Sequence, residues 1–338
     1  MTDAAIVRAV ELLRAGELVA FPTETVYGLG ADAGNPKALA KVFAAKGRPA
    51  DHPLIVHVPD TSHLDQWARE IPEAAHLLAK AFWPGPLTLI LKRQQGVNEV
   101  PDLVTGGQDS VGLRIPNHPL ALQLLKAFDG GIAAPSANRF GRISPTTAQH
   151  VREELGESVA LVLDGGPCQV GIESTIVDLS RGEPVILRPG MISAEQIQHA
   201  LQQTFPLAPG GSGRREVAGE EGDSNESPRV SGSLAAHYAP ITPMHLVPAG
   251  ILAAEMAKYL RDGRSLAVLS VESPAPHERV QWQPAAREAG PYAHALYANL
   301  RALDRQGIDL ILVEAPPQGP EWLAVNDRLA RASHGSGM

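Results

Sequence analysis

The sequence predicts an α/β protein: a mixed sheet over residues 1–205, a linker over 206–236 and a smaller α/β domain over 237–338. Three observations carry that expectation. Short apolar runs of strand length are interleaved with helical patterns, as in proteins that pack helices onto a sheet. Several neighbouring runs have no helix between them, so the sheet is expected to combine parallel and antiparallel pairs. A stretch rich in Gly, Ser, Pro and Glu, with few large apolar residues, separates the two patterned regions and reads as a flexible linker.

Taken in order, residues 4–15 place Ile6, Val7, Val10, Leu12 and Leu13 near helical spacing, and Gly16 suits the helix end. ELVAF (17–21) reads as a buried strand. Further strands are expected at 53–58, 87–92, 111–115, 131–134, 160–164, 174–179 and 184–188, where β-branched and aliphatic residues cluster between turn residues. Helices are expected over 36–46, 72–82, 119–128, 146–155 and 193–203. The second domain is expected to hold strands at 243–247, 265–270 and 308–314, with helices over 251–260, 292–305 and 322–332.

Composition narrows the class. The chain has 338 residues, 44% hydrophobic and 20% charged, which suits a globular fold with a substantial core. Its formal net charge is -8, and Lys plus Arg against Asp plus Glu runs 17 to 22 over residues 1–205 and 12 to 15 beyond. Neither part is basic overall, which argues against tight sequence-independent nucleic-acid binding. The single Cys168 excludes an internal disulfide, and beside Gly165, Gly166 and Pro167 it reads as structural, not as a nucleophile. No apolar run reaches membrane-spanning length, and the charged N-terminus does not resemble a signal peptide, so a cytoplasmic location is expected.

The first stretch with chemical content is FPTETVYGLGADA (21–33), which follows a strand and gathers hydroxyls, a carboxylate and glycines. GLGADA also fits the G-x-G-x-x-A dinucleotide pattern. That pattern needs its first Gly directly at a strand end, and here Pro22 to Tyr27 intervene. The second is KVFAAKGRPADHPLIVH (41–57), where a helix delivers Lys46 and Arg48 to a turn. Two cations there suit a triphosphate, although basic residues also favour any helix C-terminus. No P-loop is present, so a phosphate site has to be assembled from scattered parts. Ser110, Arg114, Ser136, Asn138, Ser144, Ser174, Thr175 and Arg188 each fall at a strand end or an adjoining turn, where they could converge on a ligand. Singly, each would read as a turn or capping residue. His57, His76, His118, His150 and His237 follow no metal-ligand spacing, and no G-x-S-x-G elbow occurs. Trp83 in FWPGPLTL reads as packing against the sheet.

Together and in order, PTETVYGLGADA, AKGRP with HPLIVH, FWPGPLTL, VGLRIPNHP, AAPSANRFGRISPT, DGG, GIESTIVDL and ILRPG resemble the threonylcarbamoyl-AMP synthase family with its YrdC-like catalytic domain. Beyond the linker, HYAP, LYANLRALDRQGIDLILVE and NDRLARA resemble the C-terminal domain of the longer members. The resemblance implies a twisted sheet around a deep cleft and a smaller Rossmann-like domain. It implies synthesis of threonylcarbamoyl-adenylate from L-threonine, bicarbonate and ATP, with Mg²⁺ held through the ATP phosphates and not in a protein cage. The product would pass to the threonylcarbamoyl-transferase machinery acting on tRNA.

Carried over residue by residue, the resemblance assigns threonine contacts to Thr25, His57, Arg114, Ala134, Ser136 and Ser174. It assigns ATP contacts to Lys46, Arg48, His52, Ser110, Ser144, Arg188 and, beyond the linker, Tyr238. Lys46, Arg48 and Ser136 are the expected catalytic residues, and closure of the linker over the cleft would protect labile intermediates. His52 departs from the Asn of many members, and VSGSLAA replaces the more familiar SPGMKYR before HYAP. A carbamoyl-adenylate enzyme of the hydrogenase-maturation type would share the YrdC-like domain, but the accompanying acylphosphatase-like and zinc-finger segments are absent. An RNA-binding module is the alternative from another class, weakened by the acidic balance.

Overall fold

The computed structural model describes residues 3–96, 99–201, 227–232, 234–304 and 307–337. A mixed nine-stranded sheet organises the first part of the chain. Its strands are β1 (Val19–Phe21), β2 (Gly28–Asp32), β3 (Ile55–His57), β4 (Leu87–Lys92), β5 (Ser110–Arg114), β6 (Ile132–Ala133), β7 (Leu161–Val162), β8 (Thr175–Asp178) and β9 (Val185–Arg188). They lie in the order β7-β1-β2-β6-β3-β5-β4-β8-β9. β1 pairs in parallel with β7, β3 with β5 and β4 with β8, while the other neighbours are antiparallel.

Alternation along each strand feeds separate cores. Val19 and Phe21 join the helices Asp3–Arg14 and Pro119–Phe128, whereas Leu18 and Ala20 face the helices Pro36–Lys46 and Ala148–Leu155. The central strands β4 and β5 are buried on both faces, which explains their nearly continuous aliphatic sequence.

Every strand expected from sequence is present, usually shorter at its ends. β2 was not anticipated, because two glycines mask a strand signal. Gly30 is there for close approach: a Cβ would meet the Phe21 ring and the Val19 carbonyl at 2.9 Å. The glycines of GLGADA therefore lie inside a strand and not in a phosphate-binding turn. The helical turns Leu64–Trp67 and Asp102–Thr105 were also missed, being too short to display a period. Trp83 is partly buried against the core, and its Nε1 donates to the Leu87 carbonyl at 2.7 Å.

The second sheet contains β10 (Met244–Val247), β11 (Leu266–Ser270), β12 (Val280–Pro284) and β13 (Leu310–Glu314), all parallel in the order β10-β13-β11-β12. β12 (VQWQP) is a short, exposed edge strand whose brief alternation ends in a proline after a polar, Pro-rich run, so sequence did not reveal it. Val247, Val268 and Leu312 face the helix Leu252–Arg261, while Leu269, Ile311 and Val313 face the helices Ala289–Leu303 and Leu323–Gly335. Of the expected linker, residues 206–226 lie outside the described residues. Val230 packs on Ile90 and Ile176 of the first sheet.

The two sheets are joined by direct packing. Val26, Ile143 and Ile172 belong to the same core as Leu296, Tyr297 and Leu329. Arg301 reaches Glu154 at 3.1 Å, and His294 Nδ1 lies 2.8 Å from the Gln169 carbonyl. Gly171 makes this approach possible: its φ is +82°, and a Cβ would lie 2.4 Å from the His294 carbonyl oxygen. Gly171→Ala is expected to destabilise the protein by about 1–3 kcal/mol in urea unfolding, through both backbone strain and overpacking. Stability equal to the parent's would mean that the contact yields freely.

Candidate active site

The connection from β1 to β2 supplies one wall of a cleft. The Thr23 hydroxyl accepts from the backbone N–H groups of Thr25 and Val26 at 3.2 Å and donates to the Val26 carbonyl at 2.6 Å, closing a tight side-chain turn. That turn fixes Thr25, whose hydroxyl lies 2.8 Å from that of Thr23. Opposite, the parallel register of β3 and β5 sets His57 beside Arg114 at the strand ends. Arg114 is held before any ligand arrives. Its Nη2 donates to Glu24 Oε1 at 2.7 Å and its Nε to the Gly85 carbonyl at 3.3 Å, while Glu24 Oε2 accepts from the Asn117 amide at 2.9 Å. Both members of this ion pair are buried.

A third wall comes from β8 and β9. Arg188 donates from Nε to the Ser174 carbonyl and from Nη2 to the Ser174 hydroxyl, both at 3.1 Å, and from Nη1 to the Ser231 carbonyl at 2.7 Å. The Ser174 hydroxyl lies 2.8 Å from that of Thr88. After β6, the run from Ala134 to Ser136 closes the cleft, with Ser136 bridged to Gly28. Thr25, His57, Arg114, Ala134, Ser136 and Ser174 thus surround one cavity of about 500 Å³ of non-atom space, open solvent included.

The residues expected at ATP are placed less uniformly. Arg188 and Tyr238 line the same cavity. Ser110 lines a smaller adjoining pocket that shares Ile55 and Ser231 with it. Lys46, Arg48, His52 and Ser144 stand behind the cavity wall. Lys46 Nζ donates to the Ser136 and Asn138 carbonyls at 2.5 Å, holding the loop that presents Ser136. Arg48 Nη2 donates to the Pro53 carbonyl at 3.0 Å and lies 3.4 Å from the Ser231 hydroxyl, and its guanidinium sits over the Phe140 ring. The His52 ring meets the edge of Phe140 at 5.2 Å.

Burial, with Arg48 nearby, pushes Lys46 well below the usual lysine range. Burial also lowers Arg48 to about 10, opposed by Tyr238 and reinforced by Arg188. Crowded, desolvated cations of this kind are what an arriving polyanion would relieve.

Sequence reasoning missed the residue at the centre of this arrangement. Glu173 Oε1 accepts from the Ser144 hydroxyl at 2.6 Å, and Oε2 accepts from Tyr297 Oη at 2.8 Å and from Arg328 Nε at 2.9 Å. Burial alone would raise its pKa, but Arg328 and Arg188 hold it at about 2. Arg328 is fully buried, also pairs with Asp327 at 2.6 Å, and lies 5.3 Å from the Tyr238 ring centre. A signal for it existed. Ala324, Val325, Leu329 and Ala332 form the buried stripe of their helix, and position 328 falls within it. Glu173 lies in the GIEST run, beside the hydroxyls of Ser174 and Thr175.

Several buried polar atoms around the cleft have no hydrogen-bond partner among the described residues: His57 Nδ1, His237 Nδ1, Tyr238 Oη and Arg48 Nε. Such atoms are costly unless a ligand or water satisfies them. Tyr238 adopts a left-handed backbone, φ 62°, which brings its ring to the cavity. Among the described residues no cluster of three or more His, Cys, Asp or Glu side chains could cage a metal. Cys168 is buried, and desolvation pushes its thiol up, away from nucleophilic use.

The fold and cleft together define an α/β protein with a small-molecule cleft lined by arginine, hydroxyl and imidazole side chains. The family model described as "Telomere recombination" (Sua5/YciO/YrdC) matches residues 11–190, and that described as "Threonylcarbamoyl-AMP synthase, C-terminal domain" matches residues 192–334. The chain belongs to the threonylcarbamoyl-AMP synthase family, whose enzymes are of the nucleotidyltransferase type. The threonylcarbamoyl-AMP synthase of Pyrococcus abyssi is 40% identical, covering 96% of this chain and 93% of its own length. That of Bacillus subtilis is also 40% identical, covering 98% and 94%. The crystal structure of P. abyssi Sua5 complexed with L-threonine matches with a TM-score of 0.85 at 38% identity, covering 98% of this chain and 95% of that one.

Two predictions follow from the buried charges. Arg328→Met, which strands Glu173, is expected to cost about 3–5 kcal/mol in urea unfolding, and adding Glu173→Gln should recover most of it. An R328M protein as stable as the parent would remove the pair from its central place. Burial, with Arg114 adding to it, takes His57 down to about 3, and burial takes His237 to about 3. Between their ordinary value of about 6.5 and about 3, the unfolded chain binds protons that the folded one does not. Stability is therefore complete above the unfolded value and falls with pH through that window, by at most about 1.4 kcal/mol per pH unit for each ring. His57→Gln should flatten the measured slope, and an unchanged slope would exclude His57 as a contributor.

Proposed function

We propose that the cleft condenses L-threonine and bicarbonate with ATP, forming threonylcarbamoyl-adenylate, pyrophosphate and water. The observation that carries this reading is the convergence of Arg114, Arg188 and four hydroxyl or imidazole side chains (Thr25, His57, Ser136, Ser174) on one cavity. Arg114 donates to the threonine carboxylate, oriented for it by Glu24 and the Gly85 carbonyl. Thr25, Ser136 and Ser174 offer hydroxyls to the amine and the side chain, and His57, kept neutral by burial, contributes a ring nitrogen without a second positive charge. The amine attacks the bicarbonate carbon and water leaves. The resulting carbamate oxygen then attacks the α-phosphorus, and pyrophosphate departs.

In this reading the triphosphate extends toward Arg188, Arg48, His52, Ser110 and Ser144, and Tyr238 covers it from the second domain. Lys46 positions the Ser136 loop from behind the cavity wall, one layer from the phosphates. Glu173 is the carboxylate lining the cavity, and its oxygens are already occupied by Ser144, Tyr297 and Arg328, so the donor set suits Mg²⁺ carried by ATP and not a protein-held ion. When bound, Mg²⁺ neutralises charge on the phosphate oxygens. Positioning and preorganised charge supply the rest of the acceleration.

The product is an activated acyl group for tRNA threonylcarbamoylation by a separate transferase. A cytoplasmic site of action is part of this proposal, supported by the lack of any helix, among the described residues, long and apolar enough to cross a membrane.

Incubation with ATP, Mg²⁺ and bicarbonate should release pyrophosphate only when L-threonine is present, with threonylcarbamoyl-adenylate visible by mass spectrometry. Threonine-independent release, or none, would sink the reading. Arg114→Ala should raise the KM for threonine by about 10- to 100-fold, the worth of one charge-assisted contact. Lys46→Ala and Arg48→Ala should act mainly on ATP. Equal effects of all three on both substrates would overturn the division of roles.

A further inference from the structure

The second domain holds a cavity that the proposed reaction does not use. β10 and β13 are neighbours in its parallel sheet, yet the chain leaves them toward opposite faces: β10 leads to the helix Leu252–Arg261 on one side, β13 to the helix Leu323–Gly335 on the other. In open parallel sheets, such divergence at the carboxyl ends leaves a crevice in which ligands bind. A cavity of about 880 Å³ of non-atom space, open solvent included, lies there between Ala249 after β10, Ser270 to Glu272 at the end of β11, and Glu314 to Pro317 at the end of β13. A second cavity, of about 920 Å³ by the same measure, adjoins it across Glu272 and Glu314.

The lining is chemically specific. Tyr292 is 4% exposed, lines the cavity, and its hydroxyl has no hydrogen-bond partner among the described residues. Its ring meets Trp322 edge to face at 5.5 Å. Glu314 lies at the strand end, with Oε2 accepting from the Val271 amide at 3.3 Å. Among the described residues the one cation in the lining is Arg287, which is exposed and already bound to Glu272. The turn after β10, Pro248 to Ile251, contains a single glycine and no basic residue, so it offers no phosphate cradle.

We propose that this crevice binds an uncharged nucleoside. Glu314 accepts the ribose hydroxyls, the role that a strand-end carboxylate suits, and the base packs against the Tyr292–Trp322 pair with the Tyr292 hydroxyl as its polar contact. The absence of paired basic residues in the lining sets the site against nucleotides.

The test uses the full chain, with the first cleft filled by L-threonine and a non-hydrolysable ATP analogue, and measures adenosine binding by equilibrium dialysis. About one equivalent of adenosine is expected to bind, at least about tenfold more tightly than AMP. The near-isosteric Glu314→Gln and Tyr292→Phe should each weaken it about tenfold, and Ala286→Trp, which fills the cavity, should abolish it. No adenosine binding, binding unaltered by Glu314→Gln and Tyr292→Phe, or AMP binding as tightly as adenosine would overturn the proposal. Because these variants touch only the second sheet, failure here leaves the reading of the first cleft standing, and failure of that reading leaves the variant series decisive here.

Discussion

The buried pairing of Glu173 with Arg328 is the constraint on which the rest of the arrangement depends. A carboxylate and a guanidinium removed from water each incur a desolvation cost of several kcal/mol, and they persist only where geometry returns it. Here it does: Glu173 also accepts from Ser144 and Tyr297, and Arg328 also engages Asp327 and the Tyr238 ring. Because Glu173 precedes β8 and Arg328 lies on the last helix, the pair ties the second sheet to the mouth of the cleft. Removing the second domain would strip Glu173 of both Arg328 and Tyr297 and leave Arg188 as its nearby cation. The second part of the chain thus supplies His237 and Tyr238 to the cavity wall and is packed against it.

The cleft itself is a case of charge held ready. Arg114 and Arg188 are each fixed by carbonyl, hydroxyl or carboxylate acceptors, so neither guanidinium must be ordered at the moment of binding. Lys46 and Arg48 sit one layer back, both depressed by burial, Lys46 also by Arg48 and Arg48 also by Arg188. The field they produce falls on a low-dielectric cavity, where fixed donors count for more than they would in water.

Much of this was legible in the sequence, for reasons that differ by element. Strands such as LTLILK and VGLRI are buried on both faces, so their aliphatic runs are unambiguous. β2 and β12 escaped because the first is built on glycines admitted for close contact and the second is an exposed edge. The residues assigned to threonine sit at strand ends, where α/β chains place side chains toward a ligand, and the structure gathers all six. The ATP set is harder to judge from residues alone, since Lys46 and Ser144 turn to protein acceptors. The Glu173–Arg328 pair lay beyond local reasoning: 155 positions separate its members, and no periodicity in either segment announces the other.

The left-handed backbone at Tyr238 has a consequence for how the cavity wall is shaped. Asparagine or glycine would hold φ near 62° with less strain, so this position keeps a tyrosine for its ring, stacked on Tyr297 at 5.8 Å and lying over Arg328. The conformational cost, on the order of 1 kcal/mol, is borne by the folded chain at rest. The ring is held by Tyr297 and Arg328 within the folded chain, so this part of the cavity wall is shaped by packing alone, before anything enters it.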